Sequence, residues 1–145
     1  MLTENEKTKK VQVEISTEIN QDGNVERHHF EENGQLVTIN GNRYLRYVEH
    51  VTGQPDVPVT YRIGKDSIRL TRAGDNHLEL HFKPNETIED LYRTPYGNLK
   101  IGAHTTSIKQ SKDAQTGLEI IEINYELYTN GQKVGDYRVK LQFKC

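Results

Sequence analysis

"IIEINYELYTNGQKVGDYRVKLQF", residues 120–143, is the stretch whose reading decides the fold. Ile121, Ile123, Tyr125 and Leu127 stand at every second position before the turn, and Tyr137, Val139, Leu141 and Phe143 do so after it. Glu122, Glu126, Arg138 and Lys140 fill positions between them. A period of two with one apolar face is the pattern of a half-buried strand. Between the arms lies Asn130-Gly131. This pair suits a type I′ hairpin turn, which needs positive φ at both central residues. Each arm runs about 12 residues, roughly twice the usual strand length, and paired strands that long must twist and coil.

Outward from this hairpin the same grammar repeats. Turn signals such as "QDGN" (21–24), "NGN" (40–42), "TGQPD" (52–56), "AGDN" (73–76) and "TPYGN" (94–98) recur at regular spacing. Val11, Val13 and Ile15 share one face, as do Leu78, Leu80 and Phe82. "NETIEDLYR" (85–93) could open a helix on Asn85, but β-branched Thr87 and Ile88 and the approaching Pro95 favour a strand. The expectation is an all-β chain forming a single antiparallel β-barrel of 8–10 strands, because closure removes exposed edges. Residues 1–8 are expected as a flexible tail and residues 9–145 as the barrel domain.

Composition narrows the function classes. The chain has 145 residues, enough for one continuous core. Nineteen basic residues against 21 acidic ones give a formal charge of −2, so no nucleic acid partner is expected. The one cysteine, Cys145, permits neither an intramolecular disulfide nor a Cys-rich zinc site. "MLTENEKTKK" has no apolar signal core, and no run of ~18 apolar residues suggests a membrane span. The reading is a cytoplasmic protein.

Few residues carry chemistry. "LYRTPYGNLKIG" (91–102) reads as a barrel corner, with Pro95 extending Thr94, and Tyr96 and Gly97 completing a type II turn. In "HLELH", His77, Glu79 and His81 share a face, but at ~3.4 Å per residue the outer pair is roughly 13 Å apart, too far for one ion. His28 and His29 point to opposite faces, so no metal and no cofactor is expected. Ser67, Ser107 and Ser111 lie in no nucleophile-elbow sequence, and no phosphate loop is present, which argues against an enzyme. Arg62 and Arg69 point outward around Lys65, as an anion patch or a solvated face. Arg72 shares parity with Ile68 and Leu70, which turns its guanidinium inward at a strand end. A buried guanidinium needs a partner; Asp90 and Glu49 are the candidates for a structural ion pair, and a ligand's anionic group is the other.

"GNRYLRYVEH" (41–50), "IRLTRAG" (68–74) and "LYRTPYGNLKIG" together make the chain resemble the YwiB family, β-barrel proteins of Gram-positive bacteria with a lipocalin-like (calycin) architecture. One local departure is "VEH", where an acidic pair is more typical. The resemblance implies a lipocalin-like barrel and assigns no molecular function. Two expectations follow. In the first, the chain binds a small apolar or anionic ligand in the barrel, with Tyr44 or Tyr47, Tyr61, Tyr92, Tyr96 and Tyr125 around it and Arg72 holding its anionic group. In the second, the barrel is filled solid and serves as a protein-interaction or homo-oligomerising module. Interior volume separates them.

Overall fold

The computed structural model describes residues 6–145. Ten antiparallel strands follow one another: β1 (Glu6–Gln21), β2 (Asn24–Ile39), β3 (Asn42–Glu49), β4 (Val57–Ile63), β5 (Ile68–Ala73), β6 (His77–Phe82), β7 (Thr87–Thr94), β8 (Gly97–Lys112), β9 (Glu119–Thr129) and β10 (Gln132–Lys144). Each pairs with its neighbour in sequence, and β10 returns to β1 to close the barrel. Among the described residues there is no helix, and so none long and apolar enough to cross a membrane.

The deciding hairpin is β9–β10, paired from Thr129↔Gln132 at the turn to Glu119↔Phe143 at the far end. Asn130 and Gly131 hold φ at 49° and 82°, the left-handed values that a type I′ turn requires. Leu127 and Val139 are buried, as the alternation implies. Inward residues from every strand except β2's outer half and β7 then meet in one continuous core. Phe82, Phe143, Leu45, Ile68, Ile121, Ile123 and Leu141 are among its fully buried side chains.

Two boundaries differ from expectation. Residues 6–8, assigned to the tail, already belong to β1, where Lys7 pairs with Thr38 and Thr8 with Val37; the rest of the expected tail lies outside the described residues. The long β2 ladder extends β1 by cross-strand pairing that a local sequence pattern does not contain. At 94–97 the turn falls one residue earlier than read. Thr94 pairs with Gly97, leaving Pro95 and Tyr96 as the central residues. The Thr94 hydroxyl accepts from the Tyr96 N–H at 3.2 Å and donates to the Gly97 carbonyl at 2.8 Å, which substitutes for a type II turn.

The ladder is uneven. Between β6 and β7 only His77↔Arg93 is in register. Beyond that pair the two strands run side by side without further paired positions, as a seam.

Candidate functional site

Strand parity sends two arginines into the barrel, one at each end. Arg72, at the end of β5, lies across from Val59 of β4, and Tyr47 of β3 lies across from Val59 in turn. Glu49 sits two residues beyond Tyr47 on the same face and reaches past β4 to Arg72. The contact is bidentate: Arg72 Nη1 donates to Glu49 Oε1 at 2.7 Å and Nη2 lies 2.6 Å from Oε2. Glu49 is almost enclosed, whereas 35% of the Arg72 side chain remains exposed. Burial alone would lower the Arg72 pKa, but the hydrogen bond and charge of Glu49 outweigh it and hold it above its ordinary value.

At the opposite end Arg43 of β3 meets Glu119 of β9, with Nη1 donating to both carboxylate oxygens at 2.8 and 2.7 Å. These strands are not neighbours in the ladder, so the pair spans the barrel. The Arg43 guanidinium also lies 6.0 Å from the Phe143 ring centre. Sequence reasoning missed this pair, although its signal was present. Arg43 has the parity of Leu45 and Tyr47, and Glu119 that of Ile121 and Ile123.

Between the two ion pairs the interior holds the apolar core, with aromatic contacts within it. Tyr47 stacks with Tyr61 at 6.4 Å, Phe82 meets Tyr125 at 4.6 Å, and Tyr125 stacks on Tyr137 at 5.1 Å. Burial pushes the Tyr61 phenol up to about 12 against the pull of the Arg72 charge. Tyr47 is raised further, by burial first and then by Tyr61 and Glu49. Burial also raises Tyr125. All three remain neutral hydroxyls. Of the alternative Tyr44 or Tyr47, the structure selects Tyr47; Tyr44 is on the outer face, 5.7 Å from the Arg46 guanidinium. One-residue alternation separates them. Tyr96 stands fully exposed at the β7–β8 tip and lines no interior.

Asp90 is not the partner of Arg72. Its carboxylate instead meets His81 Nδ1 at 3.0 Å, bridging the seam. The reason is register: Arg72 pairs with Leu78, and His77↔Arg93 brings Tyr92, not Asp90, into line with Leu78.

Above the Arg72–Glu49 pair, residues 54–56, residues 73–76 and Tyr92 of β7 border an open recess of about 510 Å³. Arg72, Val57, Leu78, Asn76 and Tyr92 line it. Asn76 Nδ2 donates to the Tyr92 hydroxyl at 3.0 Å, fixing one wall. His50 Nδ1 lies 2.9 Å from Asp56 Oδ1 and ties the loop end to end. Of the five donors of a guanidinium, Glu49 takes two, so Arg72 keeps three N–H groups.

The strand histidines do not converge on an ion. His77 turns to Glu79 at 3.6 Å, and His81 to Asp90. A different group has metal-ligand spacing. Glu14, His29 and Glu31 bring their ligand atoms within 4.8 Å of one another, with Ser16 Oγ 3.0 Å from His29 Nδ1. Pairing His29 with His28 overlooked it, because its neighbours come from across the β1–β2 ladder.

Comparison with known proteins agrees with the architecture. Residues 13–141 match the model of DUF1934, described as a domain of unknown function. No curated protein sequence matches the chain. The crystal structure of ywiB protein from Bacillus subtilis is similar with a TM-score of 0.81, over 94% of this chain and 92% of that one, at 18% identity. At that identity the likeness speaks for the fold alone, and it supports the resemblance carried by residues 41–50, 68–74 and 91–102. By the match over residues 13–141, the chain belongs to the DUF1934 family.

Proposed function

We propose that this chain is a non-catalytic binding protein, and that it takes a small ligand with an apolar body and an anionic or polar head at the barrel mouth rather than inside the barrel. Two ion pairs stand at the ends of the interior, and a continuous core of buried apolar side chains lies between them, which argues against a fatty acid threaded through the core. The recess over Arg72 has the volume of a small-ligand pocket, ~300–1,000 Å³. Leu78, Val57 and the Tyr92 ring offer apolar contact there, and Asn76 with the three spare Arg72 donors offers polar contact. The observation that carries this reading is Arg72 itself: it is paired behind and exposed in front.

The test is a fluorescence titration of the whole chain with anilinonaphthalene sulfonate, an amphipathic anion. Saturable one-to-one binding is expected, weakened about tenfold by Tyr92→Ala, a loss of ~1.4 kcal/mol. Arg72→Lys, which keeps a charge but loses the fork, should weaken it as well. Absence of saturable binding, or binding indifferent to both changes, would overturn the reading.

A second reading rests on a different observation. Leu91, Tyr96 and Leu99 are exposed on the β7–β8 hairpin, and a solid barrel could present them to a partner or a second copy. In that case Tyr96→Ser with Leu99→Ser abolishes a concentration-dependent rise in mass seen by light scattering.

A further inference from the structure

Arg62 of β4, Arg69 of β5 and His81 of β6 form one lateral row on the outside of the barrel. Arg62 pairs in register with Arg69, and Arg69 with His81. Like charges facing each other across a ladder destabilise it, so two arginines in direct register call for an account. Among the described residues neither guanidinium has a carboxylate within salt-bridge distance; Arg46, Arg93 and Arg138 share that, but only Arg62 and Arg69 also face each other in register. Arg62 makes only a long contact of 3.4 Å to Asn42 Oδ1. The overall charge of −2 shows that this row does not follow from general basicity.

The row borders a recess of about 290 Å³. Arg62, Arg69, Ser67, His81 and Lys83 line it, over an apolar base that includes Phe82 and Ile88. Asp90 engages His81, and Glu86 lies 3.2 Å from Lys83, so these two side chains have partners. Arg62 and Arg69 have no such carboxylate. The recess sits over the β4–β5 turn and the end of β6, and reaches β7 only at Ile88. Two guanidiniums without carboxylate partners, a hydroxyl and a small open recess are the chemistry that receives a tetrahedral oxyanion, because the planar fork of arginine donates in pairs to phosphate oxygens.

We propose that this outer recess is a binding site for the phosphate group of a small phosphorylated molecule, held by Arg62 and Arg69 with Ser67 donating from the adjoining turn. The site is distinct from the mouth over Arg72 and does not depend on the function proposed there. Its size suits one phosphoryl group with a few attached atoms and not a polymer.

The test uses the whole chain and three ligands: pyrophosphate, glycerol phosphate, and a single-stranded oligonucleotide, each against chloride at matched ionic strength. Pyrophosphate and glycerol phosphate are expected to raise the melting temperature in a saturable way, since a ligand of the native state stabilises it. Arg69→Met should raise the melting temperature of the unliganded chain, by relieving the repulsion, while weakening phosphate at least about tenfold by calorimetry. Arg62→Gln should do the same, and Tyr92→Ala at the mouth should leave phosphate binding unchanged. Equal effects of chloride and phosphate, or a phosphate response that survives both arginine substitutions, would overturn the proposal. So would an oligonucleotide that binds more tightly than glycerol phosphate, because the face would then be serving an extended polyanion.

Discussion

The barrel has two unlike halves. From β8 through β9 and β10 to β1 the strands are long, run 11 to 16 residues, and pair almost without interruption. Their inner faces are nearly all apolar, from Ile101 and Ala103 through Ile121 and Ile123 to Leu141 and Val13. From β3 to β7 the strands have 6 to 8 residues, and the last junction keeps only His77↔Arg93. In that half, polar side chains bridge between strands: Arg72 with Glu49 over the intact β3–β5 ladder, and His81 with Asp90 across the β6–β7 seam. One half is built for stability by burial. The other has shorter strands, one lapsed junction and polar bridges between its strands, and both candidate recesses open onto it.

The largest effect should come from breaking the apolar half. Leu141 is fully buried and lies opposite Ile121 and Ile15. Leu141→Ala removes its burial and leaves a cavity among stiff strands, a loss of about 2–5 kcal/mol in urea unfolding. A loss below ~1 kcal/mol would show that the long-stranded half is not the better packed one.

Next comes the polar half. Arg72→Met leaves the Glu49 carboxylate enclosed and unpaired. A destabilisation of about 3 kcal/mol is expected, at the foot of the range for a buried pair because 35% of the Arg72 side chain is in water. Adding Glu49→Leu should recover much of it, since an apolar pair of similar size tolerates the site. If Arg72→Met alone is neutral, the pair does not hold this end of the barrel.

These two halves were not equally legible. Alternation and Asn130-Gly131 define the β9–β10 hairpin locally, so residues 120–143 read correctly without any neighbour. Parity also found Arg72 and offered Glu49, because inward direction is a property of one strand. It could not choose between Glu49 and Asp90, since that depends on which strands lie beside β5. The seam was invisible for the same reason: a lapse in pairing is a relation between β6 and β7, and each strand alone looks ordinary. Glu14, His29 and Glu31, and the row Arg62–Arg69–His81, likewise exist only once register is known.

A smaller contrast separates the two junctions. Gly131 holds φ at 82°, so Gly131→Ala forces a side chain into the left-handed region, costing about 1–2 kcal/mol. Asp90→Asn removes a contact to a half-exposed His81 and should cost no more than about 1 kcal/mol. Amide exchange gives the sharper reading. Amides of β6 and β7 are expected to exchange faster than those of β9 and β10 under native conditions, because local opening needs less there. Equal protection would mean the seam is as firmly closed as the hairpin.

The smallest effect concerns the loop that borders the mouth. His50 is exposed, and its Nδ1 lies 2.9 Å from Asp56 Oδ1. The hydrogen bond to Asp56 raises the His50 pKa, with the Asp56 charge next and Glu32 adding to it. A histidine whose folded pKa is raised binds its proton more tightly in the native chain than in the unfolded one. Its contribution is therefore fully present below the unfolded value of ~6.5 and is lost as pH rises through the folded pKa. The loop closure over the recess should weaken across that window, toward neutral and mildly alkaline pH and not toward acid. A proton NMR titration of the His50 ring checks this directly. The wild-type midpoint should lie above that of an ordinary histidine, and Asp56→Asn should bring it down. The same substitution should remove the weakening of amide protection in residues 51–56 as pH rises. A wild-type midpoint at or below ~6.5 would mean that His50 and Asp56 are not joined in solution, and that the mouth is bordered by a loop without a tie.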